Sequence, residues 1–255
     1  AFELRDLDNK KYLGKSVFKA VEKINSEISK TLIGLRIDDQ KKIDKTLIDL
    51  DGTKQKKILG ANTILSISLA SSKAAAINKD MSLHKYLGNG KTLPLPLMNI
   101  INGGLHADNL LRIQEFMIRP DSAKNFKEAI NMCFLVIQKL RLLIKEKNFS
   151  TNVGDEGGFA PLLSNNEEAI EFILESIVKS GFKPGKDISL CLDIAANEFY
   201  QNRKYAIKSS NFISPQKTLE YYVDLTKKYP IKSIEDPFNE DDWDSWIELT
   251  KTLDK

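Results

Sequence analysis

The sequence is poor in cysteine and has no long apolar run, and both features limit where the protein can work. Its only cysteines, Cys133 and Cys191, each lie in a short apolar stretch, where cysteine usually behaves as a small buried hydrophobic residue. No stretch approaches the roughly 18 to 20 apolar residues of a membrane span, and residues 1–6 lack a signal-peptide pattern. We therefore expect a cytoplasmic protein, in a reducing compartment, with no membrane span.

A strong excess of one charge is also absent. The 255 residues include 38 Lys and Arg against 35 Asp and Glu, which gives a formal net charge of +3. Proteins that bind nucleic acids usually carry a much larger basic excess, so we expect no nucleic-acid partner. Internal repeats and low-complexity tracts are missing as well. A chain of this length buries a sizeable core, either as one large domain or as two smaller ones.

The first 90 residues have mostly helical patterns. Apolar side chains recur at helical spacing over residues 16–32, and Asp38 or Asp39 can cap a second helix that ends before Gly52. A third helix over residues 60–78 is rich in Ala and Ser with large apolar residues between them, so we expect it to be deeply buried. A short fourth helix follows at residues 82–87.

A Gly- and Pro-rich segment over residues 88–96 then interrupts the helical pattern and indicates a linker. We place a domain boundary there, between residues 1–90 and residues 91–255. Beyond it, apolar strands alternate with helices, which predicts an α/β domain with a largely parallel sheet covered by helices. The strands are expected at residues 97–102, 115–119, 188–194 and 231–234, and the helices at residues 125–147, 167–180, 215–228 and 243–253.

Two acidic residues stand where such folds usually carry their chemistry, at the carboxyl ends of strands. Asp193 ends one predicted strand and Glu235 ends the next. Mg²⁺ prefers hard oxygen ligands, so carboxylates that converge at the open edge of a sheet can form a metal site. The alternative is a solvated acidic rim, in which each carboxylate caps a helix or pairs with a nearby lysine.

Two glycine-rich segments are further candidates. Residues 153–161 carry Glu156 among three glycines, which let a backbone approach a ligand closely; the alternative is an exposed turn with solvated acids. Residues 103–109 contain His106, one of only two histidines. His106 follows a strand and is the better functional candidate, whereas His84 lies in a short helix and suits a structural surface role.

Taken in order, these segments resemble the enolase family. The resemblance covers nearly the whole chain and lies in the following stretches: residues 3–6 (ELRD), 12–15 (YLGK), 50–53 (LDGT), 59–62 (LGAN), 99–109 (NIINGGLHADN), 114–118 (QEFMI), 154–161 (GDEGGFAP), 192–195 (LDIA), 198–200 (EFY) and 233–237 (SIEDP).

The resemblance implies both a fold and a reaction. The fold is a small α+β N-terminal lid domain followed by the first half of an enolase-type α/β (TIM-like) barrel, whose second strand runs antiparallel to its neighbours. The reaction is that of a lyase, phosphopyruvate hydratase, which reversibly dehydrates 2-phosphoglycerate to phosphoenolpyruvate late in glycolysis. The implied partners are this phosphorylated small molecule, two Mg²⁺ ions that stabilise the enediolate, and a second copy in a homodimer.

The resemblance also assigns roles to individual residues. Glu156 matches the acid that protonates the leaving hydroxyl, and Glu115 assists it and contacts the substrate. His106 matches a residue of the closing loop near the substrate. Asp193 and Glu235 match two of three carboxylates that bind the tighter metal ion.

Other parts of the family's active site have no counterpart in the sequence. These are the substrate-closing Ser loop, the third metal carboxylate, the Lys base and the phosphate-binding residues, and only about four of eight barrel strands can be counted. We therefore expect a partial sequence that is inactive by itself. One alternative is a non-catalytic remnant or binding module. Another is an acid-sugar dehydratase or racemase of the same superfamily, against which the matches before Gly88 argue.

Overall fold

The computed structural model describes residues 1–88, 90–208 and 211–253 and divides into two compact units, Ala1–Thr92 and Leu93–Lys255. Asn89 of the predicted linker and the last two residues of the predicted second domain lie outside the described residues. No helix within the described part is long and apolar enough to cross a membrane.

The first unit is helical and has a small core of its own. Its helices are α1 (Phe18–Lys23), α2 (Ser29–Leu32), α3 (Gln40–Asp51), α4 (Ala61–Asn78) and α5 (Leu83–Leu87), with a π-helical turn at Ile24–Ile28 between the first two. The Asp39 side chain caps α3 by accepting a hydrogen bond from the Lys42 NH, and Gly52 ends this helix with a φ of 64°. The core is formed by Ile28, Ile43, Leu47 and Leu59.

Helix α4 is less buried than its sequence indicates. Leu65, Leu69 and Ile77 are 58%, 50% and 78% exposed, whereas the buried positions carry Ala, Ser and Thr. The prediction of a deeply buried helix was therefore wrong. Small side chains let the helix pack closely on one face, and several of its larger apolar residues lie on the other.

The second unit is built around a four-stranded sheet. Its strands are β1 (Met98–Asn102), β2 (Glu115–Arg119), β3 (Ser189–Asp193) and β6 (Ile231–Glu235), in that spatial order, and β4 (Tyr200–Gln201) pairs with β5 (Lys204–Tyr205) in a separate hairpin. The helices are α6 (Phe126–Glu146), α7 (Asn166–Lys179), α8 (Pro215–Lys228) and α9 (Trp243–Leu253). Buried residues of the strands and these helices share one apolar core.

The strand directions differ from the pattern-based prediction. Only β3 and β6 pair in parallel, because β2 runs antiparallel to both β1 and β3. The connection from β1 to β2, residues 103–114, contains only a single 3-10 turn. A connection without a crossover helix suits a reversal of direction. The prediction of largely parallel pairing was wrong, whereas the reversed second strand implied by the resemblance was correct.

The reversal of β2 brings the first residue of this strand to the edge where the other three strands end. The register aligns Asn102 with Glu115, Glu115 with Asp193, and Asp193 with Glu235. One edge of the sheet therefore carries a row of an amide and three carboxylates on adjacent strands.

In the first unit, Asp51→Ala tests a buried carboxylate that organises the loop after α3. Its oxygens accept hydrogen bonds from the NH groups of Thr53, Ile58 and Leu59 at 3.0, 3.1 and 2.7 Å. Removing the acceptor leaves the buried Leu59 NH and the partly buried NH groups of Thr53 and Ile58 without partners, which should lower the free energy of unfolding by about 1–3 kcal/mol. Urea unfolding followed by circular dichroism measures this change.

The matched control is Asp49→Ala on the same helix. Asp49 is exposed and, within the described part of the chain, its side chain pairs only with Lys45, at 2.9 Å, so its loss should change the unfolding free energy by less than about 0.5 kcal/mol. Equal effects of the two substitutions would contradict the role given to Asp51.

Candidate active site

Asp193 occupies the centre of the carboxylate row and is almost fully buried, at 9% exposure. One of its carboxylate oxygens accepts a hydrogen bond from the Ala195 NH at 3.0 Å. Burial, together with the charges of Glu235, Asp236 and Glu156, raises the pKa of Asp193 to about 6 against that one stabilising bond. The protein alone therefore compensates the negative charge of Asp193 poorly.

Glu156 reaches the same edge from a loop that is fastened to β1. The Phe159 NH donates to the Ile100 carbonyl and the Asn102 NH donates to the Phe159 carbonyl, each at 2.9 Å. This pairing fixes residues 153–159 alongside the strand.

The glycines of this loop are required by its close approach to β1. A Cβ atom at Gly154 would collide with the His106 carbonyl oxygen and would lie 2.9 Å from the Asn102 Cβ. A Cβ at Gly158 would collide with the Asn102 side-chain amide. Both positions therefore need glycine for space, which supports the functional interpretation of the segment over that of an ordinary exposed turn.

Three side chains converge around Glu156. Asn99 donates from its Nδ2 to the Glu156 Oε2 at 3.2 Å, and the His106 Nδ1 lies 3.4 Å from the same oxygen without the alignment of a hydrogen bond. Glu115 hydrogen-bonds to Glu156 through its carboxyl group. His106, Glu115 and Glu156 each offer one possible metal-ligand atom, and these atoms lie within 4.8 Å of one another.

Glu115 and Glu156 form an acid pair with different proton affinities. Burial, together with the hydrogen bond to Glu156 and the negative charges of Glu156, Asp193 and Glu235, raises the pKa of Glu115 to about 8. The hydrogen bond from Glu115 lowers the pKa of Glu156, and His106 and Asn99 lower it further. At neutral pH Glu115 therefore carries a proton that it shares with the Glu156 carboxylate.

The structure brings together only some of the predicted residues. His106, Glu115 and Glu156 form one group of possible ligands, and among the described residues no other such group of three or more occurs. Asp193 lies next to Glu115 in register and Glu235 lies next to Asp193, but neither is a member of that group. His84 lies in α5 of the first unit and has no place in the cluster.

Sequence patterns did not single out Asn99 and Asn102, which line the same site. Asn102 is fully buried, yet its side-chain amide has no hydrogen-bond partner among the described residues, and there the Asn99 Oδ1 and His106 Nδ1 also lack one. Polar residues within an otherwise apolar strand were the signal that could have identified both. Buried polar atoms without partners mark a place where water or a ligand fits.

The donor chemistry fits a divalent cation that prefers oxygen. Three carboxylates lie side by side on neighbouring strands, and their mutual repulsion contributes to the raised pKa of both Glu115 and Asp193. A bound cation would relieve that repulsion.

Comparison with known proteins gives a consistent result over both units. Residues 1–87 match the family model described as "Enolase, N-terminal domain", and residues 90–255 match "Enolase, C-terminal TIM barrel domain". A curated relative from Pelagibacter ubique (strain HTCC1062), named "Enolase", is 57% identical over 253 residues. The match covers 98% of this chain and 60% of the relative, so the chain spans less than two thirds of the relative's length. These matches confirm the predicted fold class and family resemblance.

The pH dependence of stability tests the proton on Glu115. Between the ordinary glutamate pKa of 4.5 and the folded value of about 8, the folded chain retains a proton that the unfolded chain releases. Stability should therefore fall as pH rises through this window. Without divalent cations, Glu115→Gln should flatten the decrease between pH 6 and 8, as measured by urea unfolding at several pH values.

Glu248→Gln is the control, because this exposed carboxylate on α9 makes no hydrogen bond or ion pair to the cluster within the described residues. It should leave the pH dependence unchanged. An unchanged slope in Glu115→Gln would show that Glu115 does not hold the proton.

Proposed function

Because the chain belongs to the enolase family, we propose that it carries the acid half and two metal-binding carboxylates of an enolase active site. The reaction is the reversible dehydration of 2-phosphoglycerate to phosphoenolpyruvate. The observation that supports this most strongly is the proton-sharing pair of Glu115 and Glu156 beside the carboxylates of Asp193 and Glu235.

The acid pair suits the loss of a hydroxyl group. A leaving hydroxyl needs a proton, and an acid that is still protonated at neutral pH can supply it. Glu115 holds the proton and passes it through their hydrogen bond to Glu156, which is the more exposed of the two and delivers it. Asn99 orients the Glu156 carboxylate for this step.

His106 and the strand-end carboxylates contribute to the binding of an anionic substrate in different ways. His106 lies at the rim of the acid pair, where its imidazole can contact a negatively charged group. Asp193 and Glu235 would hold Mg²⁺. When bound, the metal ion supplies positive charge for the carboxylate end of the substrate.

The dehydration also requires a base that removes the carbon-bound proton of the substrate. The carboxylate cluster does not contain such a base. Within residues 1–88, 90–208 and 211–253, no lysine forms an ion pair or hydrogen bond with any of the four carboxylates, which are Glu115, Glu156, Asp193 and Glu235. This observation favours a second candidate function, a non-catalytic module that binds Mg²⁺ and the phosphorylated substrate without turnover.

Calorimetric titration with Mg²⁺ tests the metal carboxylates. Loss of a charged ligand should weaken Mg²⁺ binding in Asp193→Asn by at least about tenfold, since even outer partners of a metal ligand typically contribute that much. Asp224→Asn, which changes an exposed residue of α8, should bind as the unaltered chain does. Equal binding by both variants would contradict a site at Asp193.

Formation of phosphoenolpyruvate distinguishes the two candidate functions. The chain alone should show none, because a base is missing. When it is combined with the part of the Pelagibacter relative that it does not match, we expect Mg²⁺-dependent formation that Glu156→Gln reduces by at least about 100-fold.

Two outcomes of this assay would contradict parts of the proposal. Turnover by the chain alone that Glu156→Gln abolishes would show that one of its own lysines is the base. Substrate binding without turnover in the combined sample would favour the non-catalytic module.

A further inference from the structure

The backbone turns sharply directly after both proposed metal carboxylates. Ala195, two residues after Asp193, has a φ of 48°, and Asp236, directly after Glu235, has a φ of 44°. Left-handed backbone is unfavourable for residues with a Cβ and persists only when neighbouring groups hold it. The question is therefore which groups hold these two turns.

Hydrogen bonds between the two turns make them one unit. The Ile194 NH donates to the Glu235 carbonyl and the Ala196 NH donates to the Asp236 carbonyl, each at 3.0 Å. Any shift of residues 235–236 would therefore change the position of Glu235 relative to Asp193.

A buried tyrosine from the β4–β5 hairpin fixes the segment that follows Asp236. The Tyr205 hydroxyl donates to the Asp242 Oδ2 at 2.6 Å and accepts from the Asn239 NH at 3.1 Å, and the residue is fully buried. Its ring also meets the ring of Phe238 edge to face, with the centroids 5.5 Å apart. The hydroxyl thus ties both ends of residues 239–242 to the hairpin.

Two other side chains support the same segment. The Tyr222 hydroxyl donates to the Pro237 carbonyl at 2.8 Å. The Asn197 Oδ1 accepts from the Asn239 Nδ2 at 2.7 Å and from the Glu240 NH at 3.1 Å. Of the three, Tyr205 contacts both ends of residues 239–242 through one hydroxyl, so Tyr205→Phe keeps the ring packing and removes two hydrogen bonds.

We propose that Tyr205 is a positioning residue of the metal site. Its hydroxyl holds residues 239–242, which keeps the turn at Asp236 in place and so directs the Glu235 carboxylate towards that of Asp193. The inference rests on the proposed function for its metal, but the geometry it invokes exists without one.

Amide hydrogen exchange tests this geometry in the absence of metal. In Tyr205→Phe, the Ile194 and Ala196 amides should exchange at least about fivefold faster, because their acceptors, the Glu235 and Asp236 carbonyls, belong to the turn that directly precedes the released segment. Tyr200→Phe is the matched control: its ring lies 4.8 Å from that of Tyr205, and its hydroxyl makes no hydrogen bond within the described residues. It should leave both amides unchanged. Unchanged exchange in Tyr205→Phe would overturn the proposal.

Mg²⁺ titration tests the consequence for binding. Tyr205→Phe should raise the dissociation constant about three- to tenfold, less than the loss of a direct partner of a ligand, while Tyr200→Phe should not change it. Val136→Ala, which truncates a buried residue of α6, controls for lost stability and should also bind normally.

The possible failures are distinguishable. Normal binding by Tyr205→Phe, or equally weakened binding by Val136→Ala, would reduce Tyr205 to a merely structural role and overturn the inference. Absence of Mg²⁺ binding by the unaltered chain, with faster exchange still seen in Tyr205→Phe, would instead contradict the proposed metal site and leave the control of the turn by Tyr205 intact.

Discussion

The reversed direction of β2 is the constraint on which the whole site depends. If β2 ran parallel to its neighbours, Glu115 would begin the strand at the opposite edge of the sheet, about 13 Å away at roughly 3.3 Å per residue. In the observed pairing it lies beside Asp193 and next to the loop that carries Glu156. The short connection after β1 and the glycine-dependent contact of residues 153–159 with that strand then complete the cluster.

Gathering these acids at one edge has an energetic consequence that also serves the chemistry. The carboxylates repel each other in a partly buried place, so the folded chain retains protons that free glutamate and aspartate would lose. Burial and this repulsion together keep Glu115 protonated at neutral pH, and the repulsion also makes the row attractive to a cation. Placing these carboxylates together therefore lowers the stability of the fold and also provides the proposed activity, a combination that is common at active sites.

Sequence patterns predicted the elements better than their arrangement. The strand and helix positions followed from apolar spacing, and Asp193 and Glu235 became candidates because each ends an apolar strand. The direction of β2 did not follow from those patterns, since alternation of strands and helices suggests parallel pairing; only the family resemblance implied it. The β4–β5 hairpin, with strands of two residues, is too short for any periodic signal, and the contacts of Tyr205 across it depend on tertiary packing. The exposure of α4 was missed because composition alone does not show which face packs.

The central claim is that the shared edge keeps a proton on Glu115 at neutral pH, and infrared spectroscopy of the metal-free chain observes that proton directly. A protonated carboxyl group has a C=O stretching band that a carboxylate lacks. We expect this band at neutral pH in the unaltered chain and its loss in Glu115→Gln, with Asp193 already largely ionised because its pKa is about 6. A spectrum without the band, or a band that persists in Glu115→Gln, would contradict the claim.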